Sequence, residues 1–113
     1  MSVDIRVGNE NGVPILSLNG RVRGEGDEKL GRELEVVLDQ KSDKVIVDVS
    51  NAEYIDSHGL GVIIYYHKIL QNKNRQLIIL NKNTDPESYM ARLIEITNLD
   101  KVLKVVASLE KVT

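Results

Sequence analysis

The chain has 113 residues, a formal net charge of −2 and no cysteine. That length supports one domain with an ordinary core, and the lack of thiols excludes disulfides, thiolate nucleophiles and cysteine zinc sites. Acids and bases are mixed along the sequence and the aromatics are four tyrosines, so it offers neither a basic stripe nor a base-stacking platform for nucleic acid.

No N-terminal segment joins basic residues to a long apolar run, and no stretch approaches the roughly 20 apolar residues of a membrane span. The expectation is a single domain over residues 1–113, cytoplasmic and without membrane insertion. Absence of cysteine fits a reducing compartment. Val3, Ile5 and Val7 at period two, an Asn11-Gly12 turn and an apolar run from Val13 to Leu18 predict a hairpin. Pro14 cannot donate to a ladder, which places it at an edge or among the first residues of its strand. Leu30, Leu34, Val37 and Leu38 recur at helical spacing and predict a helix from about Asp27 to Leu38.

Val45-Ile46-Val47-Asp48-Val49 is short, β-branched and nearly all apolar, as suits a strand buried on both faces. A second helix follows Gly59 and runs through Lys68-Ile69-Leu70-Gln71, and Leu77-Ile78-Ile79-Leu80 predicts another buried strand. Pro86 suits the first turn of a third helix with Met90, Leu93, Ile94 and Thr97 on one face and Asn98 as a left-handed C-cap. Val102 to Val106 predicts a last strand, with Ser108 capping a final helical turn. The order ββαβαβαβ(α) predicts an α/β fold, a mixed, mainly parallel sheet with an N-terminal β-hairpin and helices packed on it.

Chemistry concentrates in Ile55-Asp56-Ser57-His58-Gly59-Leu60-Gly61, where strand gives way to helix. Ser57 falls at or next to the N-cap, where its oxygen can accept from the unpaired amides of the first turn. Those donors and the positive end of the helix dipole also favour an anion. Gly59 and Gly61 leave the approach to Ser57 open and permit close packing of helix on strand. The following helix carries two apolar stripes, Leu60, Ile63, Ile64 and His67 on one side and Val62, Tyr65, Tyr66 and Ile69 on the other. One stripe faces the core; the second is the expected partner-binding face. The simpler alternative has the tyrosines lying flat on neighbouring helices with their hydroxyls in water.

Val45-Ile46-Val47-Asp48-Val49, Tyr54-Ile55-Asp56-Ser57-His58-Gly59-Leu60-Gly61 and Leu93-Ile94-Glu95-Ile96-Thr97-Asn98-Leu99-Asp100-Lys101-Val102 together resemble the STAS domain, and within it the bacterial anti-sigma-factor antagonists. The likeness runs from about Val3 to Val106 in matching element order. It implies a phosphorylation switch at Ser57, the serine directly after the aspartate. In similar proteins a serine kinase of histidine-kinase-like ATPase fold, itself the anti-sigma factor, binds the unmodified antagonist, frees the sigma factor, then phosphorylates the serine and is released. A PP2C-type phosphatase restores the hydroxyl. Phosphate adds about −1.5 to −2 charges at neutral pH, here beside Asp56 and Glu53. The family prior and the absence of coiled-coil heptads imply a monomer in the free state.

Three departures bear on the switch. Arg21-Val22-Arg23 stands where relatives usually carry an acid, and Arg21 and Arg23 are suited to hold phosphoserine or to select an acidic partner surface. His58 replaces a small residue; it is either a pH-responsive neighbour of the acceptor or, more simply, an exposed helix-turn histidine without a chemical task. Gly24-Glu25-Gly26 predicts a flexible approach to the first helix, and Thr84-Asp85-Pro86-Glu87 a lengthened approach to the third.

An enzyme is not expected. Adjacency of Asp56, Ser57 and His58 is not triad geometry, Ile55 breaks any Gly-x-Ser-x-Gly motif, and no Walker-type loop is present. His58 and His67 lack the i, i+4 spacing of a helical metal pair, and no cofactor is implied. The alternatives are a non-catalytic subunit of a lipid-transport or stress-sensing assembly, with Ser57 mainly a helix cap, and a small-ligand or nucleotide sensor using the helix N-terminus.

Overall fold

The computed structural model describes residues 3–112. β1 (Asp4–Glu10) and β2 (Val13–Val22) form the hairpin, followed by α1 (Glu25–Leu38), β3 (Lys44–Ile55), α2 (Ser57–Asn72), β4 (Gln76–Leu80), α3 (Tyr89–Thr97) and β5 (Lys104–Val106). Asn11 and Gly12, both at positive φ, make the two-residue turn between paired Glu10 and Val13, as expected of an Asn-Gly hairpin. The sheet order is β1-β2-β3-β4-β5, with β1 antiparallel to β2 and the other pairs parallel. This is the expected α/β architecture and element order, except that the last turn, Leu109–Lys111, is 3-10.

Each strand lies beside its predecessor, and parallel crossovers share one hand, so all three helices pack on one face. Leu30, Leu34 and Val37 of α1, Ile63 and Leu70 of α2 and Met90 of α3 therefore join one core with Leu16, Leu18, Val47 and Ile79. On the opposite face Ile46, Ile78, Leu80 and Val106 are covered by Leu109 and Val112. Lys44 pins that C-terminal segment, its Nζ donating to the Val112 carbonyl at 2.8 Å.

Several boundaries move, each for a physical reason. Val45–Val49 is only the buried centre of β3; the polar-looking run to Ile55 stays extended because β2 supplies partners, Asn19↔Asn51, Arg21↔Tyr54 and Val22↔Ile55, across register shifts. Gly24-Glu25-Gly26 is not a flexible approach but the cap and first turn of α1, with Gly26 buried against Val3. Pro86 lies in a turn before α3, which starts at Tyr89 because the Ser88 hydroxyl accepts from the Ala91 N–H at 3.3 Å. Asn98 is the left-handed C-cap, as expected, and a 3-10 turn, Leu99–Lys101, delays the last strand to Lys104. Ser108 precedes the final turn but makes no side-chain cap.

α1 has no basic residue in its last turn. Arg75, just before β4, supplies the missing donors: its guanidinium reaches the carbonyls of Leu38, Gln40 and Ser42 at 2.8, 2.9 and 2.6 Å. The end of α1 and the start of β4 are thereby clamped together.

Candidate functional site

The carboxyl ends of β2 and β3 deliver the site. The Asp56 N–H donates to the Val22 carbonyl at 3.0 Å, carrying the β2–β3 ladder one residue further before the chain turns into α2. Asp56 is the N-cap, with an extended backbone and its Oδ1 accepting from the Gly59 N–H at 2.7 Å. This corrects the reading of Ser57 as a cap: Ser57 is the first helical residue. The physical reason is one of reach, since the adjacent carboxylate already satisfies the donor that a capping hydroxyl would take. Ser57 is exposed and its hydroxyl makes no hydrogen bond among the described residues.

Behind Asp56 lies a second carboxyl that sequence reasoning missed. Asp27, in the first turn of α1, is 1% exposed and sits on the same helical stripe as Leu30, Leu34 and Val37. Its Oδ2 stands 3.3 Å from Nδ1 of His58, whose side chain is 73% exposed. Its Oδ1 is buried without a donor. Burial pushes the Asp27 carboxyl above its ordinary value; the neighbouring Asp56 carboxyl adds to the rise, and His58 opposes it. His58 is thus exposed, as the simpler expectation had it, but leans on an acid from another helix rather than on Asp56.

The two glycines separate in role. A Cβ on Gly59 would lie 2.6 Å from Asp27 Oδ1, 3.0 Å from Val22 Cγ1 and 3.2 Å from Asp56 Oδ1, so Gly59 serves close packing of the acids and does not open the path to Ser57. Gly61 faces open space.

Arg21 and Arg23 part company as well. Arg21 lies over the Tyr54 ring, 5.1 Å from its centroid, with Nε buried and unpartnered. Tyr54 leans on Tyr89, with ring centroids 5.9 Å apart. The Tyr89 hydroxyl clasps the residue before Asp56, accepting from the Ile55 N–H and donating to its carbonyl, both at 3.1 Å. Arg21 is therefore part of an aromatic brace under the β3–α2 junction. Arg23 is exposed in the turn leading to α1.

Along α2, Ile63 and His67 are buried and Leu60 and Ile64 half-buried, which identifies the core stripe. Val62 and Tyr66 are half-buried, Tyr65 is 60% exposed, and its ring meets Tyr66 edge-on at 5.1 Å. These residues form one wall of a groove of about 370 Å³ between α1 and α2, together with His58 and Gly61. The facing wall is Asp27, Glu28 and Gly31. Ile69, the fourth member of the second stripe, is half-buried and does not line the groove. Burial, Glu35 and Tyr65 raise the Tyr66 phenol above its ordinary value, which keeps it neutral.

The helix N-terminus is poorly suited to a small anion, because Asp56 occupies it with Asp27 behind. Among the described residues no group of His, Asp and Glu forms a metal site, and no helix is long and apolar enough to cross a membrane.

A family model described as the STAS domain matches residues 4–112. An anti-sigma F factor antagonist of Paenibacillus polymyxa is 21% identical over 106 residues, covering 93% of this chain and 87% of its own. In fold, the chain is similar to an anti-sigma factor antagonist from Mycobacterium paratuberculosis, with a TM-score of 0.82 at 22% identity over 97% of this chain and 90% of that one. It is also similar to the Bacillus cell fate determinant SpoIIAA in its phosphorylated form, with a TM-score of 0.68 at 15% identity over 96% and 95%. The structural likenesses, at such identities, speak for the fold; the family model, matched across hairpin, sheet and all three helices, shows that the chain belongs to the STAS domain family.

Proposed function

We propose that this protein is an anti-sigma-factor antagonist that works by partner switching in the bacterial cytoplasm. The unmodified form binds a serine-kinase anti-sigma factor of histidine-kinase-like ATPase fold and frees the sigma factor. Phosphorylation of Ser57 releases the kinase, and a PP2C-type phosphatase resets the switch. In this reading the chain is a monomer when free and is not an enzyme; Ser57 is another enzyme's substrate. The observation that carries it is the state of Ser57: an exposed, unpartnered hydroxyl on the first turn of α2, held in place by the Asp56 cap and the Tyr89 clasp. Family membership and the name of the Paenibacillus relative supply the biological context.

Asp56, His58 and Gly59 form the immediate surroundings of the acceptor, with Arg23 across the junction, while Arg21 stiffens the floor through Tyr54. Val62, Tyr65, Tyr66 and Ile69 are the partner-binding residues, with Tyr65 the most exposed of them. A phosphate at Ser57 stands between Asp56 and His58 in sequence, and His58 lines the groove together with Val62, Tyr65 and Tyr66. Bringing that charge into an interface adds like-charge repulsion and desolvation; a penalty of about 2.8 kcal/mol weakens binding about a hundredfold.

The test is incubation with a cognate serine kinase and ATP, followed by mass spectrometry. One phosphoryl group is expected on Ser57 and none on Ser57→Ala, and Ser57→Asp is expected to weaken kinase binding by between about tenfold and a hundredfold. Phosphate elsewhere, or kinase binding indifferent to Ser57→Asp, overturns the proposal.

A further inference from the structure

The groove between α1 and α2 has a composition that selects its occupant. Its α1 wall is acidic, with Asp27 and Glu28 on the lining and Glu35 beyond, near enough to Tyr66 to raise its phenol. Its α2 wall is apolar and aromatic. Gly61 leaves its middle open, since a Cβ there would meet nothing within 4 Å, and one on Gly31 would only touch Val62 at 3.8 Å. At one end the buried Asp27 carboxyl meets the His58 imidazole, which is largely in solvent, at 3.3 Å.

We infer that this groove receives an arginine flanked by apolar side chains on a partner protein, its guanidinium replacing His58 on the Asp27 carboxylate. Charge complementarity is the argument. A buried acid whose neighbours are a second acid and a weakly held imidazole lacks a permanent counter-charge, and a guanidinium supplies one together with donors for both Asp27 and Glu28. Arginine fits better than lysine because its planar group can lie against the exposed Tyr65 ring, which Tyr66 fixes edge-on. Apolar flanking residues then cover Val62 and the space beside Gly61 and Gly31. A volume of about 370 Å³ is ample for one such side chain and part of its neighbours. An acidic or anionic ligand is disfavoured by the same three carboxylates. The inference deepens the partner half of the function proposed above and rests on this face being the one that binds, but it does not require Ser57 to be modified.

The experiment is an NMR titration of the ¹⁵N-labelled protein with acetyl-Leu-Arg-Leu-amide and with its citrulline counterpart, which has nearly the same shape and no charge. The arginine peptide is expected to shift the amides of Gly31, His58 and Gly61 in a saturable way, at least fivefold more tightly than the citrulline peptide. Asp27→Asn is expected to abolish that difference. Gly61→Leu, whose side chain enters open space, is expected to abolish binding of both peptides while the rest of the spectrum stays folded. Equal binding of the two peptides, shifts away from α1 and α2, or no saturable shift would sink the inference. So would the same amides shifting with protein concentration alone, which would assign the groove to a second copy of the chain. No kinase enters this titration, so its outcome and that of the Ser57 assay are independent.

Discussion

At the scale of single residues, the site turns on pairs that look alike in sequence and differ in what surrounds them. Gly59 and Gly61 belong to the same short motif, but a methyl group at Gly59 would strike Asp27 Oδ1 and Val22, whereas one at Gly61 would meet nothing. Gly59→Ala is expected to lower stability by about 1–3 kcal/mol through overpacking. Gly61→Ala is expected to raise it by about 0.5–1 kcal/mol through helix propensity. Urea denaturation of the two variants checks both signs at once. Asp27 teaches the same lesson. It lies among Glu25, Glu28 and Lys29, which read as a solvated patch, yet its spacing to Leu30, Leu34 and Val37 places it on the buried stripe. That signal was in the sequence and was masked by the residue type. Asp56 and Ser57, by contrast, are both good N-cap residues, and only the backbone conformation of Asp56 and its bond to Gly59 tell which one caps.

At the scale of elements, what was legible followed hydrophobic period and turn chemistry, and what was not depended on contacts distant in sequence. The hairpin, the three helices and the buried runs of β3 and β4 all have local signatures. The extension of β3 to Ile55 does not, because Ser50 to Tyr54 become a strand only by pairing with β2. The brace of Arg21, Tyr54 and Tyr89 needs that register and the placement of α3 as well. Likewise, nothing near Leu38 announces that the end of α1 is finished by Arg75. Arg75→Ala removes three hydrogen bonds from a charged donor and is expected to cost about 2–3 kcal/mol. Arg75→Lys is expected to recover only part of this, since an ammonium group does not span the three carbonyls. Thermal unfolding of the two variants, with hydrogen exchange at the last turn of α1, measures the effect.

At the scale of the whole molecule, two buried titratable groups set opposing pH dependences. His67 is lowered from 6.5, mainly by burial, against the opposing effect of the Val102 carbonyl, which accepts from the ring. On acidification below 6.5 the unfolded chain takes up a proton that the folded chain resists, so stability falls. Asp27 is raised from 3.8, so the folded chain keeps a proton that the unfolded chain has released. Its contribution is fully present below 3.8 and is lost as pH rises through the folded value. The two contributions therefore oppose each other on acidification: the His67 loss begins as pH falls below 6.5, and the Asp27 gain is complete below 3.8. Urea midpoints followed from pH 7 down to pH 3.8 are expected to fall more steeply in Asp27→Asn than in the parent, and to flatten in His67→Leu, whatever the absolute stability of either variant. A slope unchanged in both variants would remove these two groups from the account.

The sequential strand order has a further consequence. With every parallel crossover on one side of the sheet, the exits from β2, β3 and β4 open at the same end, and segments distant in the chain, around Arg23, Ser57 and the Asn81–Ser88 connection, stand on a common rim. The rim's side chains are largely exposed, while the strands beneath them are closed by their own core. Such a layout lets the exposed positions of three short stretches vary while the few residues that tie each to the fold, Asp56, Gly59, Asn81 and Ser88 among them, stay fixed.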